Sequence, residues 1–270
     1  MPRKHHRYAS APVDADQNTT PLICLWLLRI LQTLGVAKEW VQPNGVRNDS
    51  LALVLNLGHW LDESTRAFDA QAVRQELRQL HQEAECNAAS TQVPATLRAN
   101  VERLAALVNL SSVDCRILEF ACCIHADQVL DDTADRLGEM TSSRVAASLA
   151  VILDLRVGEV RAALAPQGVL GRSGLVVLDR NNRGWLRSRL DLISKSFAGQ
   201  MFCEDIDLLQ LLRGTVNAAT VGQLQLADFA HVQPQLNVAL PYLRQASDAR
   251  MRGVNLFVHG APGTGKSELA

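Results

Sequence analysis

The chain has 270 residues, of which 47% are hydrophobic and 20% charged, with a formal net charge of −1. That supplies apolar mass for one to three domains with real cores and excludes a largely disordered chain. The near-neutral balance excludes a global pull toward nucleic acid or an anionic membrane, and no run approaches the roughly 18 apolar residues of a membrane-spanning helix.

Cys24, Cys86, Cys115, Cys122, Cys123 and Cys203 show no C-x-x-C pair and no histidine at metal spacing, so reduced thiols are expected. Arg3 to Arg7 is basic and Leu22 to Leu28 apolar, which loosely mimics an export signal. Asp14 and Asp16 intervene, Arg29 interrupts the run, and no small-residue cleavage site follows, so a cytoplasmic location is expected.

Residues 1–20 are polar and read as a disordered tail. Residues 21–110 read as a helical domain. Leu27, Leu28, Leu31 and Leu34 space out a helix over Leu22 to Val41, closed by Pro43-Asn44-Gly45. Leu51 to Leu61 is a second helix with Asp49 or Ser50 as cap. Asp69 to Glu85 is a third, with Val73, Leu77, Leu80 and Ala84 as its apolar stripe, and Leu97, Val101, Leu104 and Val108 make a fourth. These stripes, with Trp26, Trp40 and Trp60, are expected to pack on one another.

A different module, residues 111–195, opens on Ser111-Ser112-Val113-Asp114, a capping-box pattern. Helices are predicted over Asp127 to Leu137, Ser142 to Leu153 and Val157 to Leu164, then a strand over Gly174 to Asp179, a turn over Asn181 to Gly184 and a return strand over Trp185 to Leu190. Short helices followed by a hairpin give the order of a winged helix, with Val157 to Leu164 in the recognition position. Residues 154–195 hold eight Arg or Lys against four acids, whereas 114–139 hold seven acids against two arginines. The basic stretch therefore either contacts DNA phosphates or docks on protein, including its own acidic neighbour. Asp127, Asp131, Asp132 and Asp135 match no metal loop and read as a solvated helix face. Residues 196–223 read as connecting helices, one over Leu192 to Phe202 and one over Ile206 to Leu212.

The chemistry-bearing stretch is residues 224–270. A helix over 233–250 ends at Gly253 and leads into the apolar run Val254 to Val258, a candidate buried strand. Gly260-Ala261-Pro262-Gly263-Thr264-Gly265-Lys266-Ser267 then fits G-x-x-x-x-G-K-[ST], the Walker A or P-loop motif, with the helix formers Glu268, Leu269 and Ala270 behind it. Glycines at 260, 263 and 265 allow a tight bend whose amides approach oxygen atoms, and Pro262 stiffens it. Lys266 would reach the β- and γ-phosphates, and the Ser267 hydroxyl would ligate Mg²⁺.

This stretch resembles the start of an AAA+ ATPase module of the bacterial AAA family. Leu226-Ala227-Asp228-Phe229-Ala230-His231-Val232 is similar to the segment that touches adenine in such modules. The resemblance implies ATP and Mg²⁺ as cofactors, with Gly260, Pro262, Gly263, Thr264, Gly265, Lys266 and Ser267 at the phosphates and Ala230 and His231 at the base. It implies a homo-oligomeric ring that hydrolyses ATP and remodels a protein client recruited by the upstream helical and winged-helix-like regions. A P-loop domain needs further strands, so the chain is expected to be the front of a longer protein, inactive alone, with its catalytic acid, sensors and arginine finger beyond residue 270. The fold class expected is mainly α, with a winged-helix-like α+β middle and the first strand, loop and helix of an α/β P-loop domain. An ATP-switched DNA-binding protein and a scaffold with an inactive P-loop are the alternatives.

Overall fold

The computed structural model describes residues 20–61, 67–180, 183–204, 224–251 and 253–269. The expected tail over 1–19, the turn tip at Asn181 and Asn182, and the helix over Ile206 to Leu212 lie outside them. The chain is mainly helical and divides into two compact units, Met1–Val216 and Asn217–Ala270.

The first unit is built on α1, Pro21–Leu28, whose buried residues Ile23, Leu25, Trp26, Leu27 and Leu28 leave it almost no polar face. Such a helix is stable only with neighbours on every side. Thr20 caps it, its Oγ1 accepting from the Ile23 amide at 3.4 Å, and Pro21 stands where an amide would have gone unpaired. The single helix expected over Leu22 to Val41 is broken. A π-helical turn covers Arg29–Thr33, Gly35 takes φ +82°, and α2 is only Ala37–Trp40. The apolar spacing was right for burial, but Gly35 reverses the chain before the next turn can form. The short strands β1, Val41–Gln42, and β2, Gly45–Val46, then pair antiparallel.

α3 spans Asp49–Val54, and its cap is Asn48, whose Oδ1 accepts from the Leu51 amide at 3.1 Å. This shifts the expected cap by one residue. A 3₁₀ turn at Gly58–Trp60 replaces the rest of the second predicted helix. α4, Ala70–Cys86, and α5, Ala95–Val108, follow the predicted stripes, with Val73, Leu77, Leu97, Val101 and Leu104 buried. Trp26, Trp40 and Trp60 are in the core as expected.

α6, Ser112–Ala126, opens on the capping box: Asp114 N donates to Ser111 Oγ, and Ser111 N donates to the Asp114 carboxylate at 2.9 Å. α7 is Gln128–Asp135, α8 Ser142–Ile152, α9 Val157–Ala163 and α10 Val169–Ser173. Strand β3, Val176–Leu178, pairs antiparallel with β4, Leu190–Leu192, in the register Val176 to Leu192. The return strand expected over Trp185 to Leu190 is instead a helical turn, α11, Leu186–Arg189. Leu186, Arg189 and Leu190 are all buried, which is i, i+3, i+4 burial and not alternation. α12, Phe197–Met201, is shorter than the helix predicted over Leu192 to Phe202 because β4 takes its first residue.

One apolar core runs from Ile23 to Met201 without a break at Ser111, where a new module was expected to start. Helices on both sides of that point share it: Phe120 of α6 meets Trp26 of α1 edge-on at 5.2 Å, and buried Asn100 of α5 donates to the carbonyls of Met201 and Cys203. The acidic face of α7 is not simply solvated. Asp127 caps the helix, accepting from the Leu130 amide, and buried Asp131 pairs with Arg187 at 2.6 Å.

The second unit holds a 3₁₀ stretch, Leu226–Val232, then α13, Gln233–Asp248, the loop 254–265, and α14, Lys266–Leu269. Val254 to Val258 does not form the expected strand. A strand exists through ladder hydrogen bonds, and among the described residues no segment pairs with it.

Candidate phosphate-binding loop

Residues 260–266 form a bend whose shape depends on two glycines. Gly263 and Gly265 take φ of +82° and +77°, the left-handed region that side chains rarely adopt. Gly265 is needed for a second reason. A Cβ there would come within 2.9 Å of the Phe229 ring, so the side-chain-free residue lets the aromatic close on the bend. Phe229 is 4% exposed and sits at the kink of the 3₁₀ stretch. Among the bonds at the start of that stretch, the Gln225 amide donates to Asp228 Oδ2 at 2.8 Å, the Asp228 amide to the Gln225 carbonyl at 2.9 Å, and the Leu224 amide to Glu268 Oε2 at 3.3 Å.

Lys266 is the first residue of α14, and its ammonium folds back over the bend. Nζ donates to the Gly260 carbonyl at 2.9 Å and to the Ala261 carbonyl at 2.7 Å, with Thr264 Oγ1 at 3.4 Å. Thr264 Oγ1 in turn donates to the Ala261 carbonyl at 2.8 Å. The helix is locked to the bend by the Glu268 and Leu269 amides, which both donate to the Gly265 carbonyl. Gly260, Ala261, Pro262, Gly263 and Thr264 are exposed and Lys266 is half-buried, so the bend lies at the surface of its unit.

The structure therefore gathers Gly260, Gly263, Thr264, Gly265 and Lys266 into one bend. Ser267 follows in α14, and its side chain is outside the described residues. Ala230 and His231 are exposed, and the His231 ring stands 6.3 Å from that of Phe229. The aromatic that packs on the bend is Phe229, a residue sequence reasoning passed over. It is the one large aromatic in its segment, which was the available signal.

Among the described residues of the basic stretch, four cations make bonds within the fold. Arg187 pairs with Asp131 of α7, and Arg189, 2% exposed, donates to Ser142 Oγ at 2.8 Å. Arg161 bonds Ser143 Oγ and Arg180 the Leu164 carbonyl, while Arg156, Arg161, Arg172, Arg180, Arg183 and Lys195 are exposed. Among the described residues no group of three His, Cys, Asp or Glu could hold a metal ion, and no helix is long and apolar enough to cross a membrane. No family model, curated protein or solved structure matches the chain.

Proposed function

We propose that the bend over Gly260 to Ser267 binds the phosphates of ATP, and that the protein works in an ATP-driven motor of the AAA+ type. The observation that carries this reading is the posture of Lys266. Its ammonium is gathered over the bend by oxygen acceptors of the Gly260 and Ala261 carbonyls and the Thr264 hydroxyl. Phosphate oxygens are acceptors of the same kind and carry charge, so the donor set fits a polyphosphate.

Each residue then has a task. The amides of the bend would donate to phosphate oxygens, and the positive φ of Gly263 and Gly265 keeps the backbone folded for that approach. Lys266 would exchange its carbonyl partners for the β- and γ-phosphates. Phe229, wedged on Gly265, would keep the bend from opening. Ser267 is the Mg²⁺ ligand the motif implies. Bound Mg-ATP supplies a transferable phosphoryl group; no residue described here is assigned the role of activating its attack. The family resemblance supports a homo-oligomeric ring acting on a protein client. Arg187 and Arg189 of the basic stretch are engaged within the fold, and with the family resemblance this leads us to assign the client to protein in preference to DNA.

The test is fluorescence titration of the chain with a fluorescent ATP analogue and Mg²⁺. Lys266→Ala is expected to weaken binding by about 10-fold or more, since a charge-assisted phosphate contact is removed. Equal affinity in the two proteins would overturn the proposal.

A further inference from the structure

The first unit contains a cavity of about 640 Å³, within the size range of small-molecule sites, which the nucleotide reading does not use. Apolar residues of α1, Leu22 and Trp26, with Val93 of the α4–α5 connection, form part of its wall. The rest of the wall is charged in both senses: Arg29, Arg98 and Arg116 face it along with Glu85, Glu119 and Asp154.

The hydrogen bonds separate the charges already satisfied from those left open. Arg29 is fully engaged. Its Nε and Nη2 grip both oxygens of Glu85 at 2.7 Å, and Nη1 donates to the Ile152 carbonyl at 2.8 Å. Arg98 bonds Glu102 and Gln92 through Nε and Nη1, leaving Nη2 without a protein acceptor among the described residues. Arg116 donates from Nη2 to the Leu153 carbonyl, leaving Nε and Nη1. Glu119, about one helical turn beyond Arg116, is half-buried and accepts no side-chain hydrogen bond among the described residues. Open guanidinium donors and an open carboxylate acceptor thus share one partly apolar cavity.

A purely anionic ligand would face Glu119 and Asp154 unpaired, and a purely cationic one would leave the donors of Arg98 and Arg116 idle. Arg98, Arg116 and Asp154 are exposed and hydrated in the free protein, so a guest that displaces their water has to replace its hydrogen bonds, and one that satisfies both sets is favoured. We propose that this cavity binds a small zwitterion with an apolar body, an α-amino acid with an aromatic or branched side chain. Its ammonium sits on Glu119, its carboxylate on Arg116 and Arg98, and its side chain against Leu22, Trp26 and Val93.

The protonation of Glu119 supports the assignment. Burial pushes its carboxyl up to about 7, against the opposing pull of Arg98 and Arg116 and with a further upward push from Glu102. An ammonium placed beside it would restore the ionised form and release a proton near neutral pH. Arg98 and Glu102 on α5 and Arg116 on α6 are the charged groups acting on it, while Arg29, Glu85 and Asp154 complete the charged lining.

Isothermal titration calorimetry of the full chain with L-phenylalanine tests this, with 3-phenylpropanoate and 2-phenylethylamine as probes lacking the amine and the carboxylate. Saturable binding of L-phenylalanine is expected, with each half-probe about 10-fold weaker or worse. Glu119→Gln should weaken L-phenylalanine about 10-fold while leaving 3-phenylpropanoate unchanged. Arg116→Gln should do the converse with 2-phenylethylamine, so the pair reads the site even if one variant folds poorly. No saturable heat up to about 20 mM L-phenylalanine, or 3-phenylpropanoate binding as well as L-phenylalanine, would overturn the proposal.

Discussion

The two units use apolar residues in opposite ways. In the first, side chains from α1 through α12 close on one core, and even Arg29 and Arg189 are drawn into it with their partners. In the second, only Phe229, Leu236 and Ala246 are buried among the described residues, while Val238, Tyr242, Leu256 and Phe257 stand exposed. Hydrophobic content alone does not separate these regions. What separates them is whether a complementary surface is present for each apolar stripe, because burial is an act of two elements. The second unit is held by local devices: a glycine bend, an aromatic wedge and a lysine bound to its own loop.

The contrast can be tested with the same residue type in both places. Phe120 is fully buried against Trp26, and Phe257 is 87% exposed. Phe120→Ala should lower unfolding stability in urea by about 3–5 kcal/mol, the cost of a large core truncation. A loss below about 1 kcal/mol would mean the core of the first unit is far looser than its packing implies.

An intermediate effect belongs to Glu119. Its carboxyl is raised from the ordinary 4.5 to about 7, chiefly by burial, so the folded chain holds a proton that the unfolded chain gives up. The stability it contributes is full below about pH 4.5 and is lost as pH rises to about 7. Glu119→Gln removes that dependence. The stability of the native chain relative to the variant should fall by roughly 1–3 kcal/mol across this window and stay level above it. Denaturation of both proteins from pH 4.5 to 8 checks this; a flat difference means the carboxyl is ordinarily solvated. The smallest effect is expected at the exposed ring, where Phe257→Ser should change stability by less than about 0.5 kcal/mol.

Local rules read well where the sequence carried its own punctuation. The Ser111–Asp114 box and the stripes of α4 and α5 were visible because capping and periodicity are decided within a few residues. The bend over 260–266 was equally legible, since its glycines and lysine are the mechanism of its shape. Decisions made by distant groups were not. The helical turn at Leu186–Arg189 buries Arg189, whose guanidinium reaches Ser142, 47 residues away, and no window of sequence contains that bond. Val254 to Val258 read as a strand from composition, but a ladder needs a second segment, which composition cannot supply. Phe229 was overlooked because its partner is a missing side chain, the absent Cβ of Gly265.

The π-helical turn at Arg29–Thr33 has a consequence for how α1 tolerates change. The Leu34 amide reaches back five residues to the Arg29 carbonyl, so this turn contains one residue more than an ordinary one. Deleting a single residue here, for instance Gln32, would let the spiral continue as a plain α-helix without shifting Arg29 from Glu85 and Ile152. The same deletion two turns earlier would swing every later side chain round by about 100° and tear that guanidinium from both partners. The helix thus carries a built-in slack point, and length variation in this protein's first helix is expected to concentrate there.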